Sequence, residues 1–181
     1  MFYHGSVQKN LLELHPREGK LFASPDFRVA AVFLAGAQKA CCLPINGRIF
    51  AFIGDDREDL LTRDCGGSIY VLTREKFRPV PGGNPSLEWF TTEKISPMMS
   101  FAYESSIAAM IAHGVQLYFV SAPTVDEIQA ADKAGSLIGS DFLISVLARP
   151  SENKILRTLL LKHGSRLKVK VETPSHVAPQ I

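Results

Sequence analysis

The chain of 181 residues has few of the features that mark specialised protein classes. It has three cysteines, two of them adjacent, and these cannot form an economical disulfide framework. Its apolar runs, such as those at 69–72 and 159–161, are far shorter than the roughly 20 residues with which a helix crosses a bilayer. The N-terminus lacks the basic-then-apolar pattern of a secretory signal. We therefore expect a cytoplasmic protein with reduced cysteines and no membrane partner, with signal-independent secretion left open.

The chain also has almost no excess of charge of one sign. Lysine and arginine number 20 against 18 aspartates and glutamates, so the net charge is only +2. Bulk electrostatics therefore do not indicate a nucleic-acid partner, although they do not exclude one. Adjacent Cys41 and Cys42 cannot both ligate one zinc ion comfortably, and no Cys or His pair has finger-like spacing, so we expect no metal.

The composition is otherwise that of a globular domain. Hydrophobic residues make up 46% and charged residues 21%, which excludes wholesale disorder. The length suits one domain spanning residues 1–181. Within it we expect a core over about residues 2–120, C-terminal helices and a strand packed on it over 121–172, and a tail over 173–181.

Short strand signals recur along the chain and are separated by few strong helices, which favours an α+β fold. The predicted strands are 2–4, 21–24, 48–53, 68–73, 87–92 and 115–120, with a half-exposed strand over 166–171. The Asn46-Gly47 pair is of the type that tight hairpin turns prefer.

Apolar spacing predicts helices of different strength. The strongest starts at Pro25-Asp26 and extends to about residue 40, and a second follows Ile95-Ser96-Pro97 and ends at Gly114. Weaker signals mark 7–14, a helix that starts at the capping box 124–127, and the segments 139–148 and 151–164. The acid-rich segment 54–67 and the proline- and glycine-rich segment 79–85 are predicted loops, the first with room for one helical turn.

Three places along the chain could carry chemistry. His4 and Gly5 end the first strand, where a neutral imidazole offers one donor and one acceptor and a glycine lets a ligand approach the backbone. Phe22 and Ser24 lie on the second strand, directly before a helix. Glu88 begins a late strand. The alternatives are an edge histidine, a core phenylalanine with a helix-capping serine, and a solvent-facing glutamate.

The order of these parts resembles the histidine-headed branch of the ADP-ribosyltransferase superfamily, which includes the poly(ADP-ribose) polymerases. The resemblance covers about residues 2–120 and implies two small, roughly perpendicular β-sheets that clasp NAD. It implies that His4, Gly5 and Ser6 position the dinucleotide and that Phe22, Ala23 and Ser24 line the nicotinamide side. One departure is that the polymerases carry a stacking tyrosine in the second strand, where this chain has Phe22 and Ser24.

The resemblance also implies that His4 and Glu88 are catalytic. A glutamate at this place holds the ribose 2′-hydroxyl and spreads the charge of an oxocarbenium-like centre when the nicotinamide–ribose bond breaks. Glu93 is a weaker candidate for the same role because it lies beyond the predicted strand. The loop 79–85 lies where such enzymes contact their acceptor.

The implied function is a mono-ADP-ribosyltransferase that uses NAD as a substrate and an unidentified acceptor. Two alternatives stay open. One is a catalytically degenerate domain of the same fold that binds a nucleotide or a partner. The other is an RNA 2′-phosphotransferase-like enzyme, although the Arg-His-His-Arg constellation of that class cannot be assembled from the sequence.

Overall fold

A computed structural model describes residues 1–37, 39–162 and 169–172. The described residues form ten strands and six helices. The strands are β1 (Phe2–Ser6), β2 (Leu21–Ala23), β3 (Ala40–Ile45), β4 (Arg48–Ile53), β5 (Gly67–Leu72), β6 (Arg78–Pro79), β7 (Trp89–Thr91), β8 (Met99–Tyr103), β9 (Gln116–Phe119) and β10 (Val169–Glu172). The helices are α1 (Phe27–Phe33), α2 (Arg57–Arg63), α3 (Ser106–Ala112), α4 (Ala122–Lys133), α5 (Asp141–Leu147) and α6 (Asn153–Lys162).

The strands form three small sheets, so the predicted α+β class is confirmed, although the predicted number of sheets was two. The orders are β1-β5-β8-β10, β2-β7-β6 and β3-β4-β9. All pairs are antiparallel except β4 with β9. The first two sheets are joined by backbone hydrogen bonds between Tyr3 and Ser24, of 2.8 and 2.9 Å. This link brings the ends of β1 and β2 together.

The core lies on both faces of the β1-β5 pair. One face packs against α1 and α3, with Ile69, Ile107 and Met110 fully buried. The other face holds a second cluster that includes Phe2, Tyr70 and several apolar residues from loops. Burying one large aliphatic or aromatic side chain contributes about 1.5–3 kcal/mol. None of the helices in the described part of the chain is long and apolar enough to cross a membrane.

Most of the predicted elements are present. The six strands predicted up to residue 120 correspond to β1, β2, β4, β5, β7 and β9. The helices predicted after residue 120 correspond to α4, α5 and α6. The cap of α4 is Ser121 rather than the predicted capping box at 124–127, because the Ser121 side chain accepts from the backbone N–H of Thr124 at 3.3 Å. Residues 166–168 of the predicted last strand and the tail 173–181 lie outside the described residues.

The helix predicted to extend to residue 40 is shorter, since α1 ends at Phe33. Gly36 has a φ of 57°, which is incompatible with a continued helix. The residues that follow form β3, which pairs with β4 along its whole length. The turn between them is the predicted Asn46-Gly47, with φ angles of 49° and 74°. Pairing with β4 therefore makes residues 40–45 a strand.

Two other predictions were wrong, and the loop predicted over 54–67 was only partly correct, since it left room for a single helical turn. The helix predicted to follow Pro97 begins only at Ser106, because residues 99–103 form β8 between β5 and β10. The loop predicted over 54–67 contains α2, which Asp56 caps and Leu60 anchors at 0% exposure. The segment 7–14, for which a weak helical spacing was noted, contains no helix.

Candidate active site

A cleft of about 610 Å³ opens beside the joined ends of β1 and β2. Its walls come from these two strands, from the irregular segment 7–20, and from the chain that leads into β7. All the residues predicted for the site line this one cleft: His4, Gly5, Ser6, Phe22, Ala23, Ser24 and Glu88. The Tyr3–Ser24 bridge explains the first six, because it aligns the two strand ends.

His4 is held across the strand junction. Its Nδ1 donates to the carbonyl oxygen of Phe22 at 2.7 Å, which leaves Nε2 as the acceptor of the neutral ring. Burial lowers the pKa of His4, the hydrogen bond to Phe22 opposes this in part, and the charge of Arg17 lowers it further. His4 is therefore neutral at pH 7 and offers Nε2 to a hydroxyl donor.

Gly5 has a packing reason of its own. A Cβ atom at this position would collide with the carbonyl oxygen of Ala30 and would lie 3.0 Å from the backbone nitrogen of Leu34. Helix α1 thus packs directly on the backbone of β1, and only glycine permits this approach. The presence of glycine here is explained without a ligand, although Gly5 also lines the cleft.

Ser24 is buried, with 2% of its surface exposed, and it shapes the entry to α1. Its Oγ accepts from the backbone N–H of Asp26 at 3.1 Å. The cap of α1 is Asp26 itself, whose carboxylate accepts from the backbone N–H of Arg28 at 2.9 Å, so the alternative that Ser24 caps the helix is wrong. Burial opposes ionisation of Asp26, but hydrogen bonds from Arg28 outweigh it and lower the pKa of that carboxyl group.

Phe22 is a surface residue of the cleft. Half of its side chain is exposed, so the alternative that it belongs to the core is wrong. It lies opposite Phe90 of β7, with 6.4 Å between the ring centroids. Ala23, the next residue, is buried at 7% exposure and points to the opposite face of the strand. Phe22 can therefore present an aromatic face to a ligand.

Glu88 is exposed and lies directly before β7, at the strand start that the sequence predicts. Its Oε2 accepts from the backbone N–H of Asn84 at 3.2 Å, and its own N–H donates to the Asn84 carbonyl at 2.8 Å. A Cβ atom at Gly83 would collide with the same carboxylate. Glu88 thus closes its own turn as well as lining the cleft. The weaker candidate Glu93 does not line the cleft and instead forms an ion pair with Lys76 at 2.8 Å.

The segment 7–20 supplies polar cleft residues that the sequence interpretation missed: Gln8, Glu13, His15, Arg17 and Lys20. The hydroxyl of Tyr70 holds this segment, since it accepts from the N–H of Leu11 at 3.1 Å and donates to the carbonyl of Gln8 at 2.9 Å. Leu14 is fixed by two backbone bonds to Ile95. The only sequence signal for this wall is the density of charged residues over 13–20.

The cleft also bears on the alternative of an RNA 2′-phosphotransferase. His4, His15 and Arg17 line it, which gives three members of an Arg-His-His-Arg set. Among the described residues no second arginine lines the cleft. This alternative therefore lacks one of its four groups.

The cysteines lie apart from the cleft lining, and all three are free thiols. Burial raises the pKa of Cys41 to about 12, with a smaller effect from Asp132, and burial also raises the pKa of Cys42. Both are therefore thiols at neutral pH and weak nucleophiles. Over the ranges the structure describes, no three His, Cys, Asp or Glu side chains cluster as a metal site would need.

Comparison with known proteins adds no assignment. No family model, no curated protein and no solved structure matches the chain.

Proposed function

We propose that this protein is an NAD-dependent mono-ADP-ribosyltransferase. The observation that supports the proposal is the convergence of His4, Ser24 and Glu88 on one cleft. The Tyr3–Ser24 bridge brings His4 and Ser24 together, and Glu88 reaches the same cleft from a distant part of the chain. We also propose that the fold is ADP-ribosyltransferase-like, which is a narrower statement than the α+β class.

The size and lining of the cleft suit a dinucleotide. Its volume of about 610 Å³ lies within the roughly 300–1,000 Å³ of small-molecule and cofactor sites. Apolar side chains such as Leu11, Phe33 and Trp89 form much of the lining, and a few polar groups converge on it. A largely apolar lining with a few convergent polar groups is the usual composition of small-molecule and cofactor sites.

In the proposed reaction the bond between the anomeric carbon of the ribose and the nicotinamide nitrogen breaks. Its electron pair goes to the nitrogen, so the positively charged ring leaves as neutral nicotinamide. A lone pair of the acceptor oxygen or nitrogen forms the new bond to the same carbon, and the acceptor proton goes to a base or to water. The positive charge that develops on the ribose is the feature that a carboxylate can stabilise.

The hydrogen bonds and exposure of the site residues support a role for each of them in this reaction. His4 Nε2 accepts a ribose hydroxyl, because Nδ1 already carries the proton donated to Phe22. Phe22 and Ser24 are proposed to line the nicotinamide side of the cleft. Glu88 uses Oε2 for the turn, and the described residues give Oε1 no donor, so Oε1 is the oxygen proposed to hold the 2′-hydroxyl.

A second candidate is a domain of the same fold that binds a nucleotide or a partner without turnover. The specific observation in its favour is that two site residues have structural explanations. Gly5 is needed for the packing of α1, and the carboxylate of Glu88 closes the turn that begins at Asn84. Binding of NAD without nicotinamide release would favour this candidate.

The test is incubation with NAD labelled in the nicotinamide ring and, in parallel, in the adenine ring. The proposal predicts release of labelled nicotinamide, with the adenine label on the protein, an added acceptor or free ADP-ribose. Thermal unfolding with millimolar NAD adds a binding measurement, since a ligand of the folded state raises the midpoint by mass action. The absence of both nicotinamide release and a thermal shift would contradict the proposed function and would favour a domain that binds a partner instead.

A further inference from the structure

The outward face of the β2-β7-β6 sheet carries a row of three paired residues. Phe22 of β2 lies opposite Phe90 of β7, and Phe90 lies opposite Arg78 of β6. Directly opposed residues of antiparallel strands project from the same face. The opposite face packs into the core through Leu21 and Ala23. The row is therefore on the side of the sheet that faces away from the core.

Two cations lie over the central ring of this row. The guanidinium carbon of Arg78 is 4.6 Å from the Phe90 centroid, and Nζ of Lys20 is 5.3 Å from it. These contacts cover Phe90, whose exposure is only 5%, and leave Phe22 as the exposed ring of the row. We call Lys20, Phe22, Arg78 and Phe90 the aromatic strip. The ring contacts place both cations beside Phe90.

The cations of the strip are not neutralised by carboxylates. Among the described residues no carboxylate oxygen lies within 4 Å of the charged nitrogens of Lys20, Arg78 or neighbouring Arg17. Glu18 lies in the turn between Arg17 and Lys20 but pairs with neither. The strip is thus a local positive surface on a protein whose overall net charge is only +2.

The strip is continuous with the cleft. Lys20 and Phe22 belong to both, since each also lines the cleft beside His4. A chain lying along the strip from Arg78 towards Phe22 would therefore end at the cleft mouth. An acceptor of an ADP-ribosyl group has to be delivered to this place.

We infer that the aromatic strip binds single-stranded nucleic acid and presents it to the cleft. An exposed aromatic ring beside fixed cations is the combination that single strands use, with bases stacked on rings and phosphates on Lys and Arg. A duplex keeps its bases stacked on each other and would leave Phe22 unused. An acidic peptide would use the cations but not the flat ring. The role of the nucleic acid as acceptor rests on the proposed function, whereas its binding does not.

The experiment measures fluorescence anisotropy of a labelled single-stranded oligonucleotide of about 12 nucleotides, within the site sizes known for such surfaces. It uses the full chain without NAD, at several salt concentrations. We expect binding that weakens steeply with salt, with a logarithmic slope of about 0.7 for each phosphate contacted. A duplex of the same length and an oligoglutamate peptide serve as competitors, and we expect the unlabelled single strand to compete best.

Variants locate the binding surface. Lys20→Ala with Arg78→Ala should weaken binding about tenfold or more and lower the salt slope by about 1.4, the loss of two phosphate contacts. Phe22→Leu, which removes the aromatic face, should weaken binding by at least about fivefold. The matched control is Lys133→Ala with Lys154→Ala, which removes two exposed lysines of α4 and α6 and should change little. Should the first double variant fail to fold, Arg78→Ala can be compared with Arg78→Lys, which keeps the positive charge. Only Arg78→Ala should then weaken binding and lower the salt slope.

Several results would overturn the inference. One is the absence of oligonucleotide binding at about 50 mM salt, where a phosphate-dominated contact is strong. The others are an equal loss of binding in the control variant, and stronger competition by the duplex or the peptide than by the unlabelled single strand. The outcome is separable from that of the proposed function. Nicotinamide release without oligonucleotide binding would support the proposed function and contradict the nucleic-acid site. Oligonucleotide binding without NAD turnover would support the nucleic-acid site and contradict the proposed function.

Discussion

His4 of β1 donates its Nδ1 hydrogen to the main-chain carbonyl of Phe22 on β2, across 2.7 Å. This bond crosses the junction of two sheets, next to the backbone bridge between Tyr3 and Ser24. It fixes the tautomer of the imidazole and the distance between the two strand ends. The geometry of the cleft therefore depends on a side chain that is itself proposed to bind the ligand.

The sharpest prediction concerns the proposed catalytic carboxylate. Glu88→Gln should release nicotinamide at least about 10²-fold more slowly and bind NAD within a few-fold of the parent. The reason is that a contact made mainly in the transition state affects turnover rather than ground-state binding. Single-turnover nicotinamide release and a binding isotherm measure the two quantities separately.

The matched control for this prediction is Glu93→Gln, since Glu93 pairs with Lys76 and does not line the cleft. It should leave both quantities unchanged. Full activity in Glu88→Gln together with loss in Glu93→Gln would transfer the catalytic role to Glu93.

His4 should make stability depend on pH. Its pKa is lower in the folded state than the usual 6.5, so the unfolded chain binds a proton first as pH falls. The contribution of neutral His4 is fully present above about pH 6.5 and is lost as pH falls below this value. Urea unfolding at pH 7.5 and pH 5.5 should therefore show a larger loss for the parent than for His4→Asn.

His113 is the internal check, because burial lowers its pKa as well and it remains in both proteins. His4→Asn should therefore reduce the pH dependence without abolishing it. An unchanged dependence would mean that His4 titrates normally in the folded protein.

Gly5→Ala should destabilise the protein strongly. The added Cβ would collide with the carbonyl oxygen of Ala30, and neither backbone segment can move without repacking α1. Overpacking costs about 1–3 kcal/mol and occasionally more, and a clash between two backbone segments falls at the upper end of this range. Gly135→Ala is the comparison, because its site is open and only its φ of 68° opposes a side chain, at about 1–2 kcal/mol. Denaturant unfolding should rank Gly5→Ala as the more damaging change.

Tyr70→Phe should loosen the cleft wall. The change removes the hydroxyl that bonds both Leu11 and Gln8, and it leaves two backbone groups without this partner. We expect a loss of about 1–3 kcal/mol in the free energy of unfolding and weaker NAD binding. Tyr118→Phe, in the cluster around α4, is the matched change away from the cleft and should not affect NAD. Equal NAD affinity in the parent and Tyr70→Phe would show that the wall does not contact the ligand.

The cysteines should be dispensable for turnover. None of them lines the cleft, and burial raises the pKa of Cys41 and Cys42, so neither is an activated nucleophile. Replacing Cys41, Cys42 and Cys65 by alanine should preserve nicotinamide release in the folded variant. In the parent, an alkylating reagent should modify exposed Cys65 first, as mass spectrometry of the labelled peptides would show.

The sequence alone determined the start of α1, the choice of site residues and the positions of six strands, β1, β2, β4, β5, β7 and β9. These are local properties: β-branched and aromatic residues mark β5, and Asp26 shortly after a strand marks a helix start. The candidates His4, Ser24 and Glu88 come from the order of these residues along the chain and from the family resemblance that this order suggests. Their roles remain predictions.

Only the tertiary structure decided the type of two segments and one wall of the cleft. Residues 40–45 and 99–103 carry ambiguous spacing, and they are strands because β4, β5 and β10 offer them hydrogen-bonding partners. The segment 7–20 has no regular element, so its shape depends on the distant hydroxyl of Tyr70 and the backbone of Ile95. Local propensity contributes only about tenths of a kcal/mol per residue, so the pairing and packing that a segment finds in the tertiary structure can override it.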